Sequence, residues 1–543
     1  MAATKLASLA KSSAVMTAGT LVSRILGFVK AMLLATAIGV TVGGAADAFD
    51  IANKVPNNLY MLLAGGVLNA VLVPQIVRAT RRTDGGRDFT NRLLTLTVTL
   101  LFAVTVVATL CAPLLVRLYS TSAWSPEQTA LAVAFAYWCL PQIFFYGLYT
   151  MLGQVLNAKS SFGPYMWAPV LNNVVSIAGL LVFIAVFGTG QQGEHAVGTW
   201  DAGKIALLAG SATLGVMCQA LVLIWPLKRI GFTYRPTFGF RGFGLSTAGR
   251  VAGWTFAAVL VGQLGYIVTS QVASTASSTT GEPSASNAAY SLAYLMFMLP
   301  HSLVAVSLAT ALFTSLSTYA ADDDVDSVRS SLALGTRLVG LVNVFATVAF
   351  IALAGPAAMV IGGGSQEQAR SIAPVIVTMV IGLVPFSANY LLQRVFYAYE
   401  DARTPFWIQV PQVVLTAAGV LAAGFLLPKP LIVAGIGLAM SCGYLLACFL
   451  SAVLLRRRIG HLGTGQILLA HAKFAVAGGL SCAAGFGLLR WAGPEAWDGR
   501  LPALLTVAWI GLAMLGLYLA VCWVLRVSEL RAALETVRRV LKR

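Results

Sequence analysis

About fourteen apolar runs of spanning length follow one another along these 543 residues, and that recurrence fixes the fold class. They centre near residues 14–38, 46–76, 92–118, 129–156, 166–187, 205–227 and 251–275, then 287–316, 335–361, 372–397, 405–427, 431–455, 470–489 and 502–525. In lipid a backbone must satisfy its own hydrogen bonds, so runs of this length cross as helices. With 58% hydrophobic and 10% charged residues, the chain has too little polar surface for water. An all-α polytopic membrane protein is expected.

The basic residues orient it. Of the 36 Lys and Arg, three lie within the first two runs (Arg24, Lys30 and Lys54). With a cytoplasmic N-terminus 27 of the others fall on the inner side and 6 on the outer, the inner set including Arg78, Arg81, Arg82, Arg87, Lys228, Arg229, Arg235, Arg241, Arg456, Arg457, Arg458, Arg538, Arg539, Lys542 and Arg543. The positive-inside rule then places both termini in the cytoplasm of a multi-pass membrane protein. The net charge of +17 is therefore topological, with some attraction to anionic lipid headgroups, and nucleic-acid binding is not expected. Lys5 and Lys11 precede a segment too long for a signal-peptide core, so the first helix should stay in the membrane. The acidic run Asp322-Asp323-Asp324-Val325-Asp326 reads as a solvated inner turn.

An approximate offset of 241 residues relates two halves. Ala48, Phe49, Ala52 and Ala70 match Ala289, Tyr290, Ala293 and Ala311; Val155-Leu156-Asn157-Ala158 before Pro164 matches Val395-Phe396-Tyr397-Ala398 before Pro405. Arg92 and Pro113 have counterparts in Arg337 and Pro356. Six spans preserve orientation, so the halves are parallel repeats, and repeat-built transporters bind substrate between them. The expected organisation is a six-helix lobe over 1–230, a second over 231–460, two extra spans over 461–527 and a basic tail over 528–543.

Catalysis finds little support. The chain has 19 Asp and Glu, nearly all in loops, and His195, His301, His461 and His471 lack metal-ligand spacing. No P-loop appears, so ATP hydrolysis is not expected, nor any metal or cofactor. Asp47 and Asp50 are the carboxylates nearest the membrane, as an ion site or as ion-pair partners. The seven cysteines, Cys111, Cys139, Cys218, Cys442, Cys448, Cys482 and Cys522, read as small core residues rather than disulfides or ligands.

A cation at the bilayer centre costs roughly 2.5–3.5 kcal/mol, so Arg24, Lys30 and Lys54 call for a protein-lined, hydrated pocket. With Ser23 they are the candidate residues for a headgroup or pyrophosphate, Arg24 acting as the bidentate donor. Arg24 and Lys30 stand about 240° apart on a helix and share one cavity only if it is wide or the helix bends, for which Gly27 gives freedom. The alternative for the lysines is snorkelling or pairing with Asp47 or Asp50. Pro56, Pro74, Pro141, Pro300, Pro385 and Pro411 mark kinks, and Gln154, Asn172, Asn173, Gln263, Asn343, Asn389 and Gln393 read mostly as interhelical hydrogen-bonding residues.

Ser23-Arg24-Ile25-Leu26-Gly27-Phe28, Ala46-Asp47-Ala48-Phe49 and Pro56-Asn57 resemble the opening of the MurJ (MviN) lipid II flippases. Leu156-Asn157-Ala158, Phe162-Gly163-Pro164 and Ala168-Pro169-Val170-Leu171-Asn172-Asn173 are similar to that family's middle, and Phe396 to Pro405 to its later inner loop. The likeness covers most of the chain and looks like the actinobacterial branch. It implies a MOP-superfamily fold of two MATE-like six-helix lobes, with two extra helices forming a groove for a polyprenyl tail. It also implies outward movement of undecaprenyl-pyrophosphate-linked peptidoglycan precursor by alternating access, with lipid II, membrane lipids and cell-wall synthesis or division proteins as partners. Arg24 carries over directly and Lys30 as a basic substitute. Tyr60 and Met61 stand where relatives carry an arginine pair, Leu295 where they carry another arginine, and Ala31 where they carry an acid. Rival readings are an exporter of another polyprenyl-linked glycan, a drug or cation antiporter of the same superfamily, and a transport-inactive scaffold for cell-wall synthesis. Membrane potential, protons and sodium all remain as energy sources.

Overall fold

The computed structural model describes residues 2–64, 87–159, 161–238, 245–278 and 282–530. Ala70, Pro74, Arg78, Arg81, Arg82, Arg241, Arg538, Arg539, Lys542 and Arg543, with the corresponding parts of the second run and of the tail, lie outside these residues. The chain forms two compact units, 1–282 and 283–543.

The first unit contains α1 (Ala2–Ile38), α2 (Ala45–Leu63), α3 (Arg87–Leu110), α4 (Ala112–Tyr119), α5 (Pro126–Cys139), α6 (Gln142–Ala158), α7 (Phe162–Phe187), α8 (Ala202–Leu221), α9 (Ile224–Arg229) and α10 (Leu245–Ser274). The second contains α11 (Asn287–Pro300), a π turn (His301–Ala305), α12 (Val306–Ala321), α13 (Val325–Ala352), α14 (Ala354–Gly362), α15 (Gln366–Val380), α16 (Leu383–Ala398), α17 (Arg403–Leu426), α18 (Lys429–Ile459), α19 (Thr464–Ala492) and α20 (Arg500–Val524).

Thirteen helical stretches among the described residues are long and apolar enough to cross a membrane, which makes this an all-α, multi-pass membrane protein. The second of the fourteen expected runs is missing from that set. Its α2 carries Asp47, Asp50 and Lys54 in 19 residues, and its continuation falls outside the described residues.

The helices start and stop for local reasons. Ser125, Asp201, Asp324 and Ser365 accept hydrogen bonds from the backbone N–H three residues on, at the starts of α5, α8, α13 and α15. Asp324 is thus a helix cap, and Asp326 pairs with Arg329 at 2.9 Å, so the acidic turn is structural. Gly39 ends α1 with φ +74°, and an added Cβ would stand 2.6 Å from the Gly190 carbonyl oxygen, so two connections touch there backbone to backbone.

Repeat-related positions behave alike. Ala48 and Ala52 are fully buried in the first unit, and Ala289 and Ala293 in the second. Small residues there let α2 pack on α5 and α11 pack on α15. The spanning helices also break at matching places, between α3 and α4 and between α13 and α14, and again between α5 and α6 and between α15 and α16. The second lobe was expected from 231, whereas the first compact unit runs to Glu282: α10 packs on α2 and α4. Ser270 Oγ donates to the Tyr119 carbonyl at 2.7 Å, and Trp124 Nε1 donates to the Ser274 carbonyl at 3.1 Å.

All seven cysteines are free thiols, but the expectation of a common core role needs correcting. Cys139 and Cys522 are buried and Cys442 is exposed, because its face of α18 points away from the helices α18 packs against.

Candidate functional site

Ser23, Arg24 and Lys30 lie on α1, which is helical without interruption through Gly27. The helix packs on α7, where Asn173 Nδ2 donates to the Ser23 carbonyl at 2.8 Å and to its hydroxyl at 3.3 Å. Gly27 lies in the same seam, with the Asn173 amide 3.9 Å from where a Cβ would be. Six residues of helix separate Arg24 and Lys30 by about 9 Å along the axis and about 240° around it, so the two cations leave α1 in different directions. Both are half-buried. Among the described residues Lys30 makes no hydrogen bond or ion pair.

The other three candidates lie on α2. Lys54 Nζ stands 3.1 Å from Asp50 Oδ2, one turn earlier, and 5.9 Å from the ring centroid of Tyr266 on α10. Asp47 is 3% exposed and accepts a 2.6 Å hydrogen bond from the Ser277 hydroxyl. Gln128 Nε2 donates to Ser277 Oγ and to the Gly44 carbonyl, both at 3.0 Å, closing a network that ties the start of α2 to α5 and to the end of α10. The structure thus joins Asp50 to Lys54 and Asp47 to Ser277, while Ser23 joins α7.

At the positions that depart from the family, Tyr60 bonds through its hydroxyl to Thr150 and tilts against Tyr146, and Met61 is 50% exposed. Of the polar residues expected between helices, Asn172 donates to Gln219 at 2.9 Å and Asn389 accepts from Ser451 at 2.6 Å. The Asn343 side-chain amide, wholly buried, has no partner among the described residues.

Arg394 lies within α16, inside the run expected over 372–397. Its guanidinium bonds to the Tyr390 hydroxyl and lies 4.5 Å from that ring's centroid. One turn back, Tyr390 meets His301, whose Nδ1 is 2.9 Å from Ser387 Oγ. The i,i+4 spacing of Tyr390 and Arg394 was the available signal. Pro300 closes α11 just before the π turn that holds His301, a distortion of the kind found at functional sites.

The supernumerary helices α19 and α20 pack on each other and on α13 and α14. Tyr518 Oη donates to the Leu341 carbonyl and Ser481 Oγ to the Met514 carbonyl, both at 2.8 Å. Past α20, Glu529 is buried and pairs with Arg337 on α13 at 2.6 Å.

A family model described as "Lipid II flippase MurJ" matches residues 34–494. A probable lipid II flippase MurJ of Synechocystis sp. is 26% identical over 497 residues, covering 90% of this chain and 89% of the relative. One from Vibrio cholerae is 25% identical over 558 residues, covering 97% and 98%. Among solved structures, a lipid II flippase MurJ in an inward closed conformation superposes with TM-score 0.70 at 17% identity, covering 94% of this chain and 98% of the other. An inward-facing multidrug resistance MATE family transporter of the MOP superfamily gives 0.62 at 18%, covering 80% and 99%. The last two show the fold and the first the family, as the residues around Arg24, Asn157 and Asn173 led one to expect: the chain belongs to the lipid II flippase MurJ family.

Proposed function

We propose that this chain moves lipid II, the polyprenyl-pyrophosphate-linked peptidoglycan precursor, from the inner to the outer leaflet of the bacterial cytoplasmic membrane; its relatives are named as probable lipid II flippases. The observation that carries the reading is Lys30, a half-buried ammonium on an apolar helix with no ion pair or hydrogen bond among the described residues. Such a charge is costly in a membrane unless an anion or water meets it. A diphosphate that reaches α1 supplies that anion, with Arg24 as the planar donor and Lys30 as a point charge.

Lys54 takes a conditional part, since Asp50 already neutralises it. Asp50 serves as that lysine's ion-pair partner, and Asp47 as the hydrogen-bonded anchor of α2. Ser23 positions α1 against Asn173 and offers the headgroup what its hydroxyl can spare. The apolar outer faces of α19 and α20, with Leu480, Trp491, Leu512 and Trp523 exposed, suit a polyprenyl tail. The protein acts as a transporter without catalysing bond changes, by alternating access, with both termini in the cytoplasm.

Depletion tests this. Lipid II accumulates on the inner leaflet of depleted cells if the reading holds, and unchanged outer-leaflet levels reject it. A transport-inactive scaffold also leaves outer-leaflet lipid II unchanged.

A further inference from the structure

A cavity of about 340 Å³ lies in the first unit between α3, α6, α9 and the segment that follows α9, within the range of small-molecule sites. Leu94 and Val98 of α3, Leu148 and Leu152 of α6, and Leu227 and Phe232 wall it with hydrocarbon. Its polar lining comes from Lys228, Thr233 and Tyr234.

The segment after α9 closes one side. It runs without helix from Phe232 to Phe238 and is pinned to α3 by hydrogen bonds. Tyr234 Oη meets Thr95 Oγ1 at 3.0 Å, the Thr237 N–H donates to the same hydroxyl at 3.1 Å, and the Arg235 N–H donates to Asn91 at 3.4 Å. This strap walls one side of a pocket that stays open on the other.

The rim is cationic. Lys228 is exposed, and the Arg229 guanidinium sits 3.6 Å from the centroid of the exposed Trp225 ring. Trp beside Lys and Arg at a helix end is the pattern of an interfacial anchor. An apolar cavity under a basic rim fits a ligand with a hydrocarbon chain and an anionic head.

We propose that this cavity binds one acyl chain of an anionic phospholipid, with its phosphate at Lys228. On the topology proposed above, the lipid comes from the inner leaflet. This site stands apart from Arg24, Lys30 and Lys54, none of which lines the cavity.

The test is retention of lipid by the full chain purified in detergent and loaded with phosphatidylglycerol or phosphatidylcholine of the same chains, read by intact-protein mass spectrometry. The native chain retains phosphatidylglycerol in preference. Lys228→Gln retains it about fivefold less well, the worth of one basic residue near an anionic surface. Val98→Phe fills the cavity and removes the preference. Equal retention of both lipids, or a Lys228→Gln chain that matches the native one, overturns the proposal. A polyprenyl phosphate that outcompetes phosphatidylglycerol and is lost in Val98→Phe also overturns it, by giving the cavity to the transported lipid. Lys228 is exposed, so its variant folds, and the readout needs no transport: a chain that flips nothing can still pass.

Discussion

Lys54 and Asp50 face each other at 3.1 Å across one turn of α2, with Tyr266 of α10 beyond the ammonium. The pair is partly buried, its side chains 32% and 16% exposed, and i,i+4 pairs at a surface contribute only about 0.3–0.5 kcal/mol, so its importance lies in what it does to the lysine's charge. Asp50→Asn should shift thermal unfolding by less than about 2 °C. It should also tighten retention of a polyprenyl pyrophosphate, because the carboxylate that neutralises Lys54 is gone. Lys54→Gln should weaken retention. If neither substitution alters binding, Lys54 has no part in the site.

Arg337 and Glu529 form the opposite kind of pair. Glu529 is 3% exposed, so removing its partner strands a buried carboxylate. Arg337→Ala should cost about 3 kcal/mol, and Arg337→Met with Glu529→Leu should recover most of it. Thermal unfolding of the purified chain reads both. A double variant no more stable than the single one contradicts the pair's assignment.

These two pairs show what could be read from sequence. A pair four residues apart on one helix is legible, and Asp50 was one of the two carboxylates named as partners for the lysines. Glu529 and Arg337 are far apart in the chain, in segments with no shared pattern, and the same holds for Asp47 with Ser277. The apolar runs gave the helices because lipid forces every run of that length into one conformation. The breaks after Leu110 and Ala352 were hidden because apolar composition continues through them, whereas those after Cys139 and Val380 fall beside Pro141 and Pro385, which mark kinks in the sequence. The buried Ala48, Ala52, Ala289 and Ala293 were legible as a repeat, while the packing of α10 on the first unit depends on tertiary contacts that no periodicity carries.

His195 lies in the connection between α7 and α8, buried against Phe183 and Trp200. Burial pushes its imidazole below the ordinary value, with the Gly188 carbonyl opposing in part. The folded state therefore binds the proton less readily than the unfolded chain, which takes it up near pH 6.5. Stability is complete above that pH and falls as pH drops below it. Melting temperature followed from pH 7.5 to 5.5 should decline in the native chain and decline less in His195→Gln. Parallel curves would show that the ring is not the titrating group.

Gly215 of α8 packs closely against α7. An added Cβ would stand 2.5 Å from Asn172 Oδ1 and 2.6 Å from Ser176 Oγ. Gly215→Ala should cost roughly 1–3 kcal/mol, as overpacking does, and Asn172→Ala in the same chain should relieve part of it. Unfolding midpoints of the three variants decide; an unperturbed Gly215→Ala would mean the seam has slack.

The central claim is that cations on α1 carry a diphosphate lipid across the bilayer. Purified chain reconstituted in vesicles with labelled lipid II, and scored for label reaching the opposite leaflet, tests it most directly. The account predicts transfer by the native chain and its loss in Arg24→Ala and Lys30→Ala inserted at equal density. A native chain that moves no lipid II, or variants that move it at the native rate, would contradict it.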